Sequence, residues 1–304
     1  MHQERQPKVA CFGEILWDLF PGKDKQAGGA PFNVGYHLHQ MGIDVHAISA
    51  VGKDALGDEL LQRLSGWKLS DAGIQRSDTH ATSTVVATID EDNEAHYEIK
   101  EGVAWDYIEL LSADQELLKN ADAFVFGSLA TRNEVSRNTL FQLVENARYC
   151  VFDVNLRPPF VDKNVLLALL EKADLVKFNL AELNLVLSFL GKEYANELDG
   201  MSFLQDHFRL SEIILSRGAS GATYFTKENN FTLPATKIKV NDTVGSGDSF
   251  LAGFLSGSLL GLNAKEALEQ GICLSGFVTT QSGACPDYTK ADIEAMKEKY
   301  RNQS

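Results

Sequence analysis

Asp242-Thr-Val-Gly245-Ser246-Gly247-Asp248 leads directly into an apolar pattern of helical spacing in the last quarter of the chain. The apolar residues of that pattern are Phe250, Leu251, Phe254, Leu255 and Leu259. The glycine-rich turn is therefore predicted to lie at a helix N-terminus, where unpaired N–H groups and the helix dipole bind anions such as phosphate. The charge of Asp248 would repel a phosphate, unless this carboxylate takes a proton from a hydroxyl that is about to react. An Asp that merely caps the helix is the alternative interpretation.

Two common nucleotide-binding signatures are absent from the sequence. No G-x-x-x-x-G-K-[ST] motif occurs, which excludes a P-loop enzyme. In the dinucleotide fingerprint Phe250 would occupy the position of the third glycine, and no strand precedes the turn in the required way. A nicotinamide-dependent dehydrogenase is therefore not predicted.

Short apolar runs alternate with helical patterns along the rest of the chain. Strands are predicted at 9–13, 45–51, 123–127, 150–154, 175–178 and 213–215. Helices are predicted near 31–41, 54–64, 134–147, 163–172, 181–190, 248–261 and 264–281. Such alternation is typical of a parallel sheet with helices on both faces. We expect one α/β domain over residues 1–304, because no repeat, linker or composition break divides the chain.

Two segments interrupt this alternation. The first, about 14–30, has an irregular or extended pattern, and the second, about 80–108, contains the β-rich runs Thr82–Ile89 and Ala95–Ile99 around the acidic turn Asp90–Glu94. The turn lacks the spacing and the glycine of an EF-hand, so we expect a solvated hairpin tip rather than a calcium loop. A small β element beside an α/β body predicts a lid over a cleft.

Composition narrows the partners and the compartment. The chain has 304 residues, 44% of them hydrophobic, and a formal net charge of −14. We expect no nucleic-acid partner, because binding a polyphosphate needs a basic surface. The scattered cysteines contain no C-x-x-C pair and indicate buried, reduced thiols: Cys11, Cys150, Cys273 and Cys285.

No targeting or membrane-spanning segment is predicted. The N-terminal residues Met1–Lys8 contain no apolar core of a signal peptide. The most apolar helical pattern, Ser249–Leu262, is shorter than the ~20 residues that a membrane span requires. We therefore expect a cytoplasmic protein without a membrane partner.

A second motif, Gly28-Gly29-Ala-Pro-Phe-Asn33, precedes the first long predicted helix. Backbone without side chains at Gly28 and Gly29 can approach a polyol closely, and the Asn33 amide offers hydroxyls both a donor and an acceptor. A plain turn that leads into a helix is the alternative interpretation.

Together with Asn179-Leu-Ala-Glu182, these motifs resemble, in order, those of the ribokinase-like (PfkB) carbohydrate kinase family. The N-terminal signature continues through Ala50-Val-Gly52-Lys-Asp54-Ala-Leu-Gly57, and the C-terminal signature has Ser246 where alanine is usual. The resemblance covers essentially the whole length. It implies a ribokinase-like three-layer αβα sandwich with a mostly parallel central sheet and a small β-sheet lid.

The resemblance also assigns the chemistry of phosphoryl transfer. It implies that Asp248 is the catalytic base. The N–H groups that would hold the transferring phosphoryl belong to Gly245, Ser246 and Gly247. Glu182, with Asn179, would orient Mg²⁺ through water molecules; an acid exposed on a helix is the alternative for Glu182.

A nucleotide site is implied by Ser216-Arg217-Gly218-Ala-Ser-Gly221, which is similar to the G-x-x-G loop of the family. The phosphates and ribose of ATP would lie there with Arg217 as a contact, and a plain β-turn is the alternative. The adenine would lie against Cys273–Ser282, where Gly276 leaves room for a flat ring. The resemblance further implies a monovalent cation such as K⁺ beside Asp242. Its other ligands would be backbone carbonyls near Val244, Val278, Gln281 and Gly283.

Three further features resemble fructokinases. Glu14-Ile-Leu-Trp-Asp18 is similar to their G-E-x-x-x-D segment, which implies that Asp18 binds sugar hydroxyls. Asp153-Val-Asn155-Leu-Arg157 resembles the fructokinase and 2-keto-3-deoxygluconate kinase subgroup, with Arg157 near the sugar or the phosphate. A surface salt bridge is the alternative for Arg157. Trp105 would cap the sugar from the lid or pack beneath it.

These resemblances predict an ATP-dependent fructokinase that phosphorylates a primary hydroxyl of fructose. Ribose, 2-keto-3-deoxygluconate and nucleosides are alternative acceptors, because Lys53 and the bulky Trp17 depart from the usual pattern. Outside the kinases, the alternative is a non-catalytic sugar-binding regulator, which would lack the base or the anion site. The expected partners are the sugar, ATP and a second copy of the chain, paired through lid faces around Val85 and Val86.

Overall fold

The computed structural model describes residues 5–19, 22, 24–89 and 95–303. The strands are β1 (Lys8–Phe12), β2 (Leu16–Leu19), β3 (Gln26–Gly28), β4 (Asp44–Gly52), β5 (Ile74–Ser77), β6 (Ser83–Ile89), β7 (Ala95–Ile99), β8 (Ala123–Gly127), β9 (Cys150–Asp153), β10 (Leu175–Asn179), β11 (Glu212–Ser216), β12 (Ala222–Phe225) and β13 (Asn230–Leu233). The helices are α1 (Ala30–Gln40), α2 (Ala55–Gly66), α3 (Ser112–Asn120), α4 (Glu134–Val144), α5 (Lys163–Leu170), α6 (Leu180–Phe189), α7 (Glu197–Phe208), α8 (Ser246–Leu259), α9 (Ala264–Thr279) and α10 (Lys290–Arg301).

The predicted strands and helices are all present, with ends that differ by a few residues. The apolar pattern did not predict the edge strands β5 and β13, the strand β12 beside β13, or the helices α3, α7 and α10. β13 is only half-buried, so it lacks the continuous apolar run that marks a buried strand. The acidic turn Asp90–Glu94 lies outside the described residues, and its solvated tip stays a prediction.

The large sheet has the strand order β13-β12-β11-β10-β9-β8-β1-β4-β5. All pairs from β11 to β5 are parallel, whereas β12 and β13 add antiparallel pairs at one edge. The prediction of a mostly parallel sheet is confirmed. In such a sheet the carboxyl ends of neighbouring strands meet at one edge, where ligands bind.

Alternate residues of the large sheet enter two separate hydrophobic cores. Val9 and Cys11 of β1 belong to the core that contains side chains of α1, α2, α8, α9 and α10. Ala10 and Phe12 belong to the core that contains side chains of α3 to α7. This division into two cores makes the molecule the three-layer αβα sandwich that was predicted.

The lid segments form a separate four-stranded sheet of order β3-β2-β6-β7. The β2–β6 pair is parallel and the other two pairs are antiparallel. Asp54, the N-cap of α2, joins this sheet to the body, because its carboxylate accepts hydrogen bonds from the Gly57 N–H and from the N–H and hydroxyl of Thr82, at 2.7–2.8 Å. Val85, which we expected on a dimer face, is already buried within one chain, and Val86 is half-buried.

The remaining expectations about the chain concern its thiols and its helices. All four cysteines are free thiols, although Cys285 is only half-buried and not buried as predicted. Among the helices that the structure describes, none is both long enough and apolar enough to cross a membrane.

Close contact between α8 and α9 sets the position of the α8 N-terminus. A Cβ added at Gly253 would lie 2.8 Å from the Gly271 Cα and 3.0 Å from the Gln270 carbonyl oxygen, both on α9. Only residues without side chains allow two helices to pack at this distance. α8 also packs on α1. Contacts with α9 and α1 therefore hold α8, and with it the turn at Gly245–Gly247, in place.

We expect Gly253→Ala to destabilise the protein, because the added methyl group forces the two helix backbones apart. Overpacking of this kind costs roughly 1–3 kcal/mol, and urea denaturation measures the change in the free energy of unfolding. Gly66→Ala is the matched control, since an added Cβ at this last residue of α2 meets no atom within 4 Å. The control should leave the free energy of unfolding unchanged or raise it by up to about 1 kcal/mol. Equal stability of the two variants would contradict the close packing.

Candidate active site

The predicted anion site lies where Gly245 begins α8. Gly245 is the N-cap and has a left-handed φ of 73°, and a Cβ there would lie 2.6 Å from the Cβ of Ala284. The Ser246 N–H donates to the Thr243 carbonyl at 3.2 Å. Within the described chain, the N–H groups of Gly245 and Gly247 have no acceptor. Two of the three predicted donors are therefore available to an anion, and the third already closes the turn.

Asp248 lies one residue further along α8 and is buried, with 9% of its surface exposed. Its Oδ2 accepts a hydrogen bond of 2.8 Å from the Asn33 Nδ2. Burial raises the pKa of Asp248 to about 6, and the nearby charge of Asp153 raises it further, while Asn33, Lys177 and Arg157 act to lower it. A carboxylate with a pKa near neutrality can both accept and release a proton at physiological pH, as a general base must.

Asn33 connects α1 to α8 through both ends of its amide. The amide nitrogen donates to Asp248, and the amide oxygen accepts from the Cys285 thiol at 3.3 Å. Burial raises the pKa of Cys285 well above its usual value, so the thiol keeps its proton and acts as the donor. Asn33 therefore orients the proposed base, a role that we did not predict for it; its contact with the sugar stays a prediction.

Asp18 lies against the glycine pair and close enough to Asp248 and Arg157 for their charges to act on it. A Cβ at Gly28 would lie 2.3 Å from the Asp18 Oδ2, and one at Gly29 would lie 2.2 Å from the Glu14 carbonyl oxygen. Burial raises the pKa of Asp18 to about 6, and the charge of Asp248 also raises it. Trp17 lies on the opposite face of β2, where it is buried and its indole nitrogen donates to the Leu56 carbonyl. Its bulk therefore does not crowd Asp18.

Glu14 supports this side of the cleft. Its Oε1 accepts from the Ala30 N–H at 3.0 Å, at the start of α1, while its Oε2 is buried without a partner in the described chain. Burial raises the pKa of Glu14 to about 7. Glu14 belongs to the segment that resembles fructokinases, but the sequence alone did not predict a role for it.

Arg157 is exposed and faces the carboxylates of the cleft. Its charge lowers the pKa of Glu14, Asp18 and Asp248. It forms no ion pair with any residue that the structure describes, so the surface salt bridge considered as an alternative is not present. An unpaired guanidinium beside these acids suits a sugar hydroxyl or a phosphate.

The expectation that Trp105 caps the sugar is wrong. Trp105 is fully buried in the core, within a 3₁₀ turn (Ala104–Tyr107), and has no exposed surface. The guanidinium of Arg132 stacks 4.0 Å from its ring and pairs with Asp106 at 2.7 Å. The indole packs beneath the lid, which is the other interpretation that the sequence left open.

Lys177 and Asp153 form a buried ion pair that sequence reasoning did not identify as part of the site. The Lys177 Nζ donates to both carboxylate oxygens of Asp153, at 2.8 and 3.0 Å. A Cβ at Gly247 would lie 3.3 Å from this nitrogen, so the pair adjoins the α8 N-terminus. The sequence did not indicate a role for this lysine, because it is a single polar residue in the apolar pattern of β10 and its partner lies on β9.

A cavity of about 760 Å³ opens on the other side of the α8 N-terminus. The predicted residues that line it are Ser216, Gly218, Gly221, Ser246, Gly247 and Gly276. Three lysines that we did not predict also line it, Lys237, Lys239 and Lys299. Its size and its cationic, glycine-rich wall fit a nucleoside triphosphate. The prediction that Arg217 contacts the nucleotide is wrong, because its guanidinium pairs with Glu197 of α7 at 3.2 Å and does not line the cavity.

Asn179 and Glu182 form a reciprocal cap at the start of α6. The Asn179 Oδ1 accepts from the Glu182 N–H, and the Glu182 Oε2 accepts from the Asn179 N–H. Glu182 Oε1 accepts from the Leu156 N–H, and the side chain is buried, so it is not the exposed helix acid considered as an alternative. Burial and the charge of Asp153 raise the pKa of Glu182. Both Glu182 oxygens already accept backbone N–H groups, so any contact with a divalent cation would be made through water.

Asp242 connects the turn before α8 to the loop after α9. Its two carboxylate oxygens accept from the Val244 N–H and the Gly283 N–H, each at 3.0 Å. The Gln281 carbonyl, an expected cation ligand, accepts from the Asn241 side chain at 2.7 Å. These contacts explain Asp242 structurally, and the monovalent cation stays a prediction.

Known proteins are similar to this chain in sequence and in fold. The sequence profile of the pfkB family of carbohydrate kinases matches residues 6–291. A fructokinase of Salmonella typhimurium is 28% identical over 262 residues, which cover 82% of this chain and 83% of that protein. A fructokinase of Xylella fastidiosa, solved with bound ATP, superposes with a TM-score of 0.86 at 20% identity and covers 98% of this chain and 99% of that one. A fructokinase double mutant of Vibrio cholerae O395, solved with fructose, ADP and potassium, superposes with a TM-score of 0.83 at 22% identity over 96% of this chain and 98% of that one.

We expect Asp248→Asn to stabilise the folded protein at high pH. Because folding raises this pKa from 3.8 to about 6, the ionised side chain costs stability above about pH 6, and the cost disappears as the pH falls toward 4. The variant should gain about 3 kcal/mol near pH 8 and almost nothing near pH 4. Denaturant titration at the two pH values measures the difference.

Asp153→Asn is the matched control for that measurement. It removes a buried carboxylate that pairs with Lys177, so it should destabilise the protein by about 3–5 kcal/mol. A loss of stability in Asp248→Asn near pH 8 would contradict the raised pKa.

Proposed function

The chain belongs to the pfkB family of carbohydrate kinases, and from that premise we propose that it transfers the γ-phosphoryl of ATP to a primary hydroxyl of fructose. One observation carries this proposal. A buried carboxylate, Asp248, follows two unpaired N–H groups at the start of α8, with the glycine-lined cavity on one side and Asp18 and Asn33 on the other. A base, an anion site beside a nucleotide-sized cavity and polar groups for the acceptor are the parts that phosphoryl transfer to an alcohol needs.

The proposed step starts with the acceptor hydroxyl against Asp248. The carboxylate takes the hydroxyl proton while the hydroxyl oxygen forms a bond to the γ-phosphorus, and the bond to the β–γ bridging oxygen breaks, so ADP leaves. The N–H groups of Gly245 and Gly247 and the positive end of α8 stabilise the charge on the outer oxygens of the phosphoryl group. The pKa of Asp248, raised to about 6, leaves the base ionised at neutral pH and still able to hold the proton.

ATP would occupy the 760 Å³ cavity with its phosphates toward the α8 N-terminus. Mg²⁺ would offset the charge of these phosphates, and Glu182 with Asn179 would hold it through water molecules. Asp242 would hold K⁺ with the neighbouring backbone carbonyls. Both metal assignments follow from the resemblance to the family, since the described residues contain no group of three or more His, Cys, Asp or Glu side chains that could hold a metal ion.

The sugar would lie between Asp18, Gly28, Gly29 and Asn33, with the lid sheet above it. Closure of the lid would exclude water from the phosphoryl group and limit hydrolysis of ATP. The fructokinase relatives and the Glu14–Asp18 segment favour fructose over ribose, 2-keto-3-deoxygluconate and nucleosides. A non-catalytic sugar-binding regulator is disfavoured, because such a protein would lack the base or the anion site.

Three expectations about the whole protein stay predictions. They are a single α/β kinase domain over residues 1–304, a cytoplasmic location and a homodimer that pairs through the lid. Burial of Val85 inside one chain removes one side chain from the expected dimer face.

A coupled assay of ADP release tests the acceptor, with fructose, ribose, 2-keto-3-deoxygluconate and adenosine each supplied with ATP and Mg²⁺. We expect the highest kcat/KM for fructose. Asp248→Asn is the control for chemistry and should lower kcat by roughly 10²- to 10⁴-fold with ATP binding retained. Preference for another acceptor would reject fructose, and near-normal turnover by Asp248→Asn would reject the base.

The pH profile of kcat/KM tests the contact between Asn33 and Asp248. Activity should fall below about pH 6, because the base must be ionised. Asn33→Leu removes a donor that lowers the pKa of Asp248, so the acid limb should move to higher pH, whatever happens to KM. Asp18→Asn is the comparison variant: it removes a negative charge coupled to Asp248 and should move the limb, if at all, to lower pH. A limb unmoved by Asn33→Leu would show that another group controls it.

A further inference from the structure

Lys177 lies at a core position of β10 that an apolar residue would usually occupy. Its neighbours alternate, with Val176 and Phe178 in the core under α3 to α7, so Lys177 faces the opposite layer, where α8 lies. Its side chain is 8% exposed. A buried ammonium is costly and normally has a full set of partners.

The donors of Lys177 are only partly used. Its Nζ makes two hydrogen bonds, both to Asp153, and no third acceptor for it occurs in the described part of the chain. The nitrogen lies 3.3 Å from the point where a Cβ of Gly247 would be. Because Gly247 has no side chain, nothing at this residue separates the third N–H of the ammonium from the anion site at the α8 N-terminus.

We propose that Lys177 is a further catalytic residue, which donates a hydrogen bond to the transferring phosphoryl group, and that Asp153 is the residue that positions it. This inference rests on the proposed function and deepens it. The bidentate contact with Asp153 holds the ammonium beside Gly247 and leaves one N–H without an acceptor in the described chain. The backbone N–H groups and Lys177 then approach the phosphoryl group from two different elements, α8 and β10.

Lys177 also offsets the negative charge of the acids around the site. Asp153, Glu182 and Asp248 are all coupled to it electrostatically. A triphosphate that enters this cluster meets three acids, and the ammonium offsets part of their repulsion. A single lysine can therefore serve the resting enzyme, by neutralising Asp153, and the transition state, by contacting the phosphoryl oxygens.

A second buried ion pair in the same molecule shows what a purely structural pair looks like. Arg132 and Asp106 are 4% and 2% exposed, at 2.7 Å. Arg132 also donates to the Lys100 carbonyl and stacks on Trp105 and Phe160, while its Nη1 is buried without an acceptor in the described chain. Both cations therefore keep an unused donor, and they differ in position: Lys177 adjoins Gly247 at the anion site, whereas Arg132 lies against two aromatic rings.

The test compares binding of ADP with binding of the β,γ-imido analogue of ATP by calorimetry, with Mg²⁺ and without sugar. Lys177→Met should weaken the triphosphate analogue by roughly 10- to 100-fold, the value of a lost charge-assisted hydrogen bond, and should change ADP affinity by less than about threefold. Lys177→Arg should recover part of the preference for the triphosphate. The double variant Asp153→Asn/Lys177→Met removes both charges of the ion pair and keeps the test valid if Lys177→Met fails to fold.

Arg132→Met is the matched control for disruption of a buried ion pair. It should lower the free energy of unfolding and leave the ratio of triphosphate to diphosphate affinity unchanged. A folded Lys177→Met or double variant with the wild-type ratio and the wild-type kcat would overturn the inference.

The binding measurement also separates this inference from the proposed acceptor. Loss of the triphosphate preference in Lys177→Met, in a protein that phosphorylates no sugar of the panel, would support Lys177 and reject fructose. An unchanged preference together with fructose phosphorylation would reject Lys177 alone. Failure of the wild-type protein to bind the triphosphate analogue at all would reject both.

Discussion

The cost of holding an ionised carboxylate at Asp248 is the constraint on which the site depends. Burial and the charge of Asp153 both disfavour the ionised form, while the Asn33 amide and the charges of Lys177 and Arg157 favour it. The balance leaves a pKa near neutrality, which an exposed aspartate would not have. The same burial that suits Asp248 to its proposed role as a base reduces the stability of the fold above about pH 6.

Absent side chains are as important to the site as present ones. A Cβ at Gly28 would collide with the Asp18 carboxylate, and one at Gly245 would collide with Ala284. At Gly253 a Cβ would separate α8 from α9. The glycines therefore set three distances. These are the distance from the Asp18 carboxylate to the backbone of Gly28, from the anion site at Gly245 to the loop at Ala284, and from α8 to α9. The anion site is placed by backbone packing over the whole α8 layer and not by the turn alone.

The basic side chains near the site show what a sequence motif does not predict. Arg217 belongs to a motif and was assigned to the nucleotide, yet it pairs with Glu197 outside the cavity. Lys177 belongs to no motif that we quoted, yet it adjoins the anion site. A motif gives the position of a side chain along the chain, but the direction of a long cationic side chain depends on which acids the neighbouring elements supply. Asp153 on β9 and Glu197 on α7 decide these two cases.

The sequence by itself determined the alternation of strands and helices, the separate lid, the turn at Gly245–Asp248 and the family. These features depend on period, turn chemistry and residue type within a few positions, which are local properties. Only the tertiary structure decided that Asn33 holds Asp248 across 215 residues of sequence, that Trp105 is core, and that Lys177 reaches α8. Each of these depends on contacts between separate elements of the fold, and no local pattern specifies which side chains then meet.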